Sequence, residues 1–108
     1  MNYKKISNEI VKIIQNNGIT AQTWNNVTSR KYNHTKTKYL YDQILSLSTE
    51  YQCQLWHWFN KFFQNQSDGK PFQTHDLNNF NIQDIPVDNN KDEIIQKLHN
   101  IFNNLKNI

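Results

Sequence analysis

The sequence has one cysteine, two glycines and two prolines in 108 residues. A single thiol, Cys53, excludes an internal disulfide and a multi-cysteine zinc ribbon, and it fits a reducing compartment, cytosolic or nuclear. Strand-like alternation and the turn chemistry of a sheet are missing from the first half of the chain. No apolar run approaches the roughly 20 residues that span a bilayer, and the start Met1-Asn2-Tyr3-Lys4-Lys5 lacks a signal-peptide core. There is no phosphate loop, dinucleotide fingerprint or nucleophile elbow. His34, His57, His75 and His99 are scattered without paired metal-ligand spacing. Cys53 and His57 stand four apart, as a nucleophile and base could, but among aromatic neighbours such a pair is more commonly structural. These absences argue against an enzyme, and no cofactor, metal or catalytic residue is expected.

Acid is scarce in the front of the chain. Residues 1–40 hold seven cations (Lys4, Lys5, Lys12, Arg30, Lys31, Lys36, Lys38) against Glu9 alone, whereas residues 41–108 hold five against eight acids. A net charge of +3 thus conceals a basic front and a mildly acidic back. Such asymmetry suggests that one end meets a polyanion and the other meets protein or solvent. The most concentrated stretch runs from Ser29 to Tyr39, with four fixed positive charges and no acid. Three glycosylation sequons, beginning at Asn26, Asn33 and Asn65, are expected by chance in so asparagine-rich a chain. The abundance of Asn, Gln, Lys and Ile resembles the coding bias of an AT-rich genome.

Hydrophobic spacing predicts an all-α fold. Tyr3, Ile6, Ile10 and Ile13, widened by Val11 and Ile14, form one stripe of a helix from about Tyr3 to Gln15, with Gly18 suited to a left-handed C-cap. Thr20 can cap a second helix through Thr23, Trp24 and Val27 to about Arg30. After a turn at Tyr32-Asn33-His34, a third helix is expected from Thr35 to Leu47, with Leu40, Ile44 and Leu47 inward. Residues 1–47 then form a trihelical helix-turn-helix-like unit, and residues 48–108 a helical extension that packs on it or on a partner. Within the extension, Ser48 or Thr49 is expected to start an aromatic fourth helix with two apolar stripes: Tyr51, Leu55, Trp58 and Phe62 in one, Trp56, Phe59 and Phe63 in the other. Residues 66–90 read as a long connection, with a turn at Ser67-Asp68-Gly69-Lys70-Pro71 and with Phe72, Leu77, Phe80, Ile82 and Ile85 pinning it to the core. Asp88 or Asn90 then caps a last helix whose seam is Ile94, Leu98, Ile101, Leu105 and Ile108.

The candidate site follows from where the basic run falls. A helix-turn-helix reader needs cations around the entrance to its third helix, which is where Arg30, Lys31, His34, Lys36 and Lys38 lie. Five to six phosphate contacts would give a log–log salt slope of about −5. The aromatic surface of Trp56, Phe59 and Phe63 is the candidate contact for a protein partner. Two readings stay open: a non-catalytic DNA-binding module, and a small helical adaptor or inhibitor that binds protein without touching DNA.

The segments Ile6…Ile10…Ile13-Ile14, Gly18-Ile19-Thr20, Thr23-Trp24-Asn25-Asn26-Val27 and Arg30…His34-Thr35-Lys36…Tyr39 resemble a homeodomain-like or Myb/SANT repeat over residues 3–47. Only Trp24 matches the regularly spaced tryptophans of a Myb repeat. Together with the composition and the short acidic extension, the chain is similar to the small homeobox-like accessory subunits of ciliate nuclear DNA adenine-N6 methyltransferase complexes. That resemblance implies a nuclear, non-catalytic component joining double-stranded DNA, a methyltransferase heterodimer and another homeobox-like subunit. S-adenosylmethionine and the catalytic Asp-Pro-Pro-Trp signature, absent here, would belong to a partner.

Overall fold

The computed structural model describes residues 1–31, 34–64 and 80–108, and these form five α-helices with no strand among them. Helix α1 spans Tyr3–Asn16, α2 Ala21–Thr28, α3 Thr35–Tyr51, α4 Leu55–Gln64 and α5 Lys91–Asn103; short 3₁₀ turns occupy Ile82–Asp84 and Asn104–Asn107. Tyr32 and Asn33, the turn at 67–71, Phe72, His75 and Leu77 lie outside the described residues.

Each helix starts and stops for local reasons. Asn2 accepts the Lys5 N–H to cap α1, and Thr20 and Thr23 form a reciprocal capping box at the start of α2. At the end of α1 the Ile19 N–H bonds Ile14 O and the Gly18 N–H bonds Gln15 O, with Gly18 at φ 66°. This is a Schellman closure with glycine in its left-handed position, where no Cβ is penalised.

One core joins all five helices. Ile6, Ile10 and Ile14 of α1, Trp24 of α2, Leu40, Ile44 and Leu47 of α3, Leu55, Phe59 and Phe63 of α4, and Ile94, Ile95, Leu98 and Phe102 of α5 belong to a single buried cluster. The main neighbours of α1 are α5 and the 82–84 turn, while α2 rests on α3 and α4. Helices α1–α3 therefore share their core with the C-terminal half rather than closing on themselves, and residue 47, the expected boundary, falls within α3. Ser7, a polar residue on the buried face of α1, accepts the Ile82 N–H at 2.9 Å and anchors the 82–84 turn. Tyr3 O–H donates to Asp92 at 2.6 Å, tying α1 to α5; this bond, with some desolvation and the carboxylate charge, raises the phenol above its ordinary pKa.

Three expectations need correction. First, no helix starts at Ser48 or Thr49: α3 continues to Tyr51 and stops at Gln52, which adopts φ 51°. Ser48 nevertheless serves the start of α4 from within α3, donating to Cys53 O at 2.7 Å and accepting the Trp56 N–H at 3.2 Å. Second, the buried stripe of α4 is Leu55, Phe59 and Phe63 at strict i, i+4 spacing, with Trp56, Trp58 and Phe62 half-buried on its flanks. Third, α5 buries Ile94, Ile95, Leu98 and Phe102; Ile101 is only half-buried, and Ile108 is exposed beyond the terminal 3₁₀ turn. Asn90 occupies the N-cap position of α5 but makes no side-chain cap.

Trp24 is the keystone of α2. It is fully buried, stacks on Phe63 with ring centroids 4.5 Å apart, and donates its indole N–H to Asn60 Oδ1 at 2.8 Å. Trp24→Ala is expected to cost about 3–5 kcal/mol in urea denaturation, from lost transfer energy plus a cavity. A loss below about 1 kcal/mol would show that the ring is not seated as described.

Candidate nucleic-acid interface

The sequence holds no acid between Glu9 and Asp42, and two chain reversals fall inside that stretch. The first joins α1 to α2 through Asn17 and Gly18. The second leaves α2 at Ser29 and enters α3 at His34. Lys36 brings them together by donating to Asn17 Oδ1 at 2.7 Å, and Asn17 in turn donates to Ile13 O at 2.7 Å. His34 closes the same corner, since its Nε2 lies 3.7 Å from the position that a Cβ on Gly18 would take.

His34 is the N-cap of α3. Its Nδ1 accepts the Thr37 backbone N–H at 3.2 Å and lies 2.6 Å from Thr37 Oγ1. Thr37 is fully buried, and its hydroxyl also reaches Thr23 Oγ1 at 3.0 Å, joining the start of α3 to the capping box of α2. The imidazole thus carries a structural duty at the corner. Lys36 and Lys38 sit in the first turn of α3, which has no acid. Cations there oppose the helix macrodipole, so they do not serve helix stability.

Arg30 and Lys31 are exposed and follow α2 directly. The Lys31 N–H bonds Asn26 O and the Arg30 N–H bonds Val27 O, with Arg30 at φ 65°. This repeats the closure at the end of α1, but with arginine where α1 uses glycine. A side chain in that conformation is disfavoured by about 1 kcal/mol relative to glycine. The arginine is held where folding alone would favour another residue.

The five predicted nucleic-acid residues do not act alike. Lys36 stands at the corner, with a neutral partner that leaves its charge intact, while Arg30 and Lys31 follow the opposite end of α2. His34 is half-buried as a cap. Lys38 forms an ion pair with Asp42 one turn further along α3. Beyond its first turn α3 is not basic, because Asp42 and Glu50 balance its two lysines. Of the proposed partner-binding aromatics, Phe59 and Phe63 are fully buried and present nothing to a partner. Trp56 is half-buried, edge-on to Tyr41 at 5.7 Å. Those two phenylalanines were read as surface because two adjacent stripes on one helix look alike until the covering helix is known.

Asn17 and Gly18 shape the corner and were not foreseen as part of it; Thr37, a candidate phosphate or base-edge donor by sequence, is instead fully buried and faces Thr23. The Lys38–Asp42 pair was readable from its i, i+4 spacing. Cys53 lies in the turn between α3 and α4, and His57 is exposed. Among the described residues no cluster of His, Cys, Asp and Glu could hold a metal, and no helix is long and apolar enough to cross a membrane. No protein-family model matches the chain, and no curated protein or solved structure shows significant similarity to it.

Two substitutions test this geometry. Arg30→Gly is expected to raise unfolding free energy by about 1 kcal/mol, because glycine adopts the left-handed conformation freely; a destabilised variant would contradict the closure. His34→Ala is expected to lower it by about 1 kcal/mol, with His34→Asn, a good N-cap residue, recovering most of the loss.

Proposed function

We propose that the protein is a non-catalytic accessory module that contacts duplex DNA through phosphates at Arg30, Lys31 and Lys36. One observation carries this reading: two exposed cations leave the end of α2 and a third enters α3, none with an acid partner among the described residues, and Arg30 occupies a backbone position unfavourable to its side chain. Strain kept at a charged, exposed position is a sign of use rather than of folding. Phosphate contact needs only charge and reach, and both are present. Base reading by α3 has weaker support, because its charge is confined to the first turn and Lys38 is paired with Asp42.

The resemblance to homeobox-like accessory subunits extends the proposal to a nuclear assembly. In it, a methyltransferase heterodimer supplies S-adenosylmethionine chemistry and a second homeobox-like subunit completes the complex. With Phe59 and Phe63 in the core, contact with such partners falls to other surfaces. A second reading, an adaptor or inhibitor that binds protein without DNA, draws on the outer face of α3, where Leu45 is 41% exposed beside a balanced set of charges.

Fluorescence anisotropy with a labelled duplex, across a salt series, separates the two. Replacing Arg30, Lys31 and Lys36 with Gln is expected to reduce the magnitude of the log–log salt slope by about 2.7, at about 0.9 for each lost phosphate contact. An unchanged slope removes these three residues from the contact, and a parent protein that binds no duplex at low salt favours the adaptor.

A further inference from the structure

Helix α1 presents a second basic surface. Lys4, Lys5 and Lys12 are all exposed on its outer side, where Asn2, Asn8 and Glu9 join them along a shallow groove of about 440 Å³. None of the three ammonium groups makes an ion pair or hydrogen bond within the described residues. The reason lies with Glu9, the one acid on this helix. It stands four residues after Lys5 and three before Lys12, the spacings at which a helical acid pairs with lysine. Instead its Oε2 is turned across to α5, 2.6 Å from His99 Nε2. The approach is close but does not have hydrogen-bond geometry. The Glu9 carboxylate thus faces α5 and pairs with neither Lys5 nor Lys12.

Along the helix axis Lys5 lies about 18 Å from Asn17, where Lys36 is bonded, and about 120° around the helix from it. We infer that the Lys4–Lys5–Lys12 row is a second duplex-DNA phosphate contact, so that DNA is held by α1 together with Arg30, Lys31 and Lys36. The inference rests on the duplex-binding reading above for the identity of the polyanion. Three contacts from the row and three from those residues give a salt slope of about −5, whereas those residues alone give about −3. An anionic membrane fits less well, because the apolar face of α1 is buried in the core and leaves no insertion surface.

The test is duplex affinity of the full chain between 50 and 200 mM salt. The parent is expected to weaken by about 1,000- to 2,000-fold, and a Lys4→Gln/Lys5→Gln/Lys12→Gln variant by only about 40-fold. A row variant that keeps the parent's affinity and slope, while the Arg30/Lys31/Lys36 variant loses both, overturns this inference and leaves the corner reading standing. A parent that binds anionic vesicles but no duplex overturns both. His99→Ala tests the role of Glu9: freed to pair with Lys5 or Lys12, Glu9 should weaken binding several-fold, and adding Glu9→Gln should restore it. Failure of the second change to restore binding in a variant that remains folded by circular dichroism would also contradict the inference.

Discussion

The seating of Trp24 is the constraint from which the rest of the architecture follows. Eight residues are too few to hold a helix in water, so α2 exists because its tryptophan is locked between α3 and α4. The stack on Phe63, the tilted contact with Tyr41 at 5.1 Å and the indole bond to Asn60 fix the rotation of α2 about its axis. Once that rotation is fixed, the exits at both ends of α2 are fixed as well. The capping box faces Thr37, and the left-handed arginine begins the path to α3. The corner is therefore a consequence of aromatic packing some distance from its charges.

Charge is segregated over this frame by two kinds of arrangement. Around the corner, acids are absent from the sequence itself. On α1 an acid is present, but α5 draws it aside. Elsewhere opposite charges meet: Lys38 pairs with Asp42, and Lys97 lies 3.4 Å from Glu50 and over the Tyr51 ring. Exposed pairs of this kind contribute little to stability, so their main effect is on which cations stay available. Among the described residues, Lys4, Lys5 and Lys12 on α1, Arg30 and Lys31 after α2, and Lys36 keep their charge unpaired, as do Lys61, Lys91 and Lys106.

Much of the architecture was legible in the sequence, because helix boundaries and inward faces are set by local chemistry. Thr20 as a cap, Gly18 as a left-handed terminator, and Leu40, Ile44 and Leu47 as a buried face depend on neighbours within a few residues. The errors came where tertiary contacts decide. Helix α3 passes Ser48 because that hydroxyl is engaged across the turn with Cys53 and Trp56, which spacing cannot reveal. The two stripes of α4 were equally apolar, and only the packing of α2 and α3, with Phe102 of α5, selects Leu55, Phe59 and Phe63. At the basic site the sequence located the charge but not its state. The pairing of Lys38 was within reach of an i, i+4 argument. The diversion of Glu9 to His99 was not, because 90 residues of chain separate them.

The central claim is that duplex DNA lies across the outer face of α1 and contacts Arg30, Lys31 and Lys36. Amide chemical-shift mapping of the isotope-labelled protein, titrated with a short duplex at low salt, tests it most directly. The account predicts the largest shifts at Lys4, Lys5, Asn8, Lys12, Arg30, Lys31 and Lys36, with the Leu45–Glu50 face of α3 little changed. Shifts concentrated on that α3 face, or none anywhere, would contradict it.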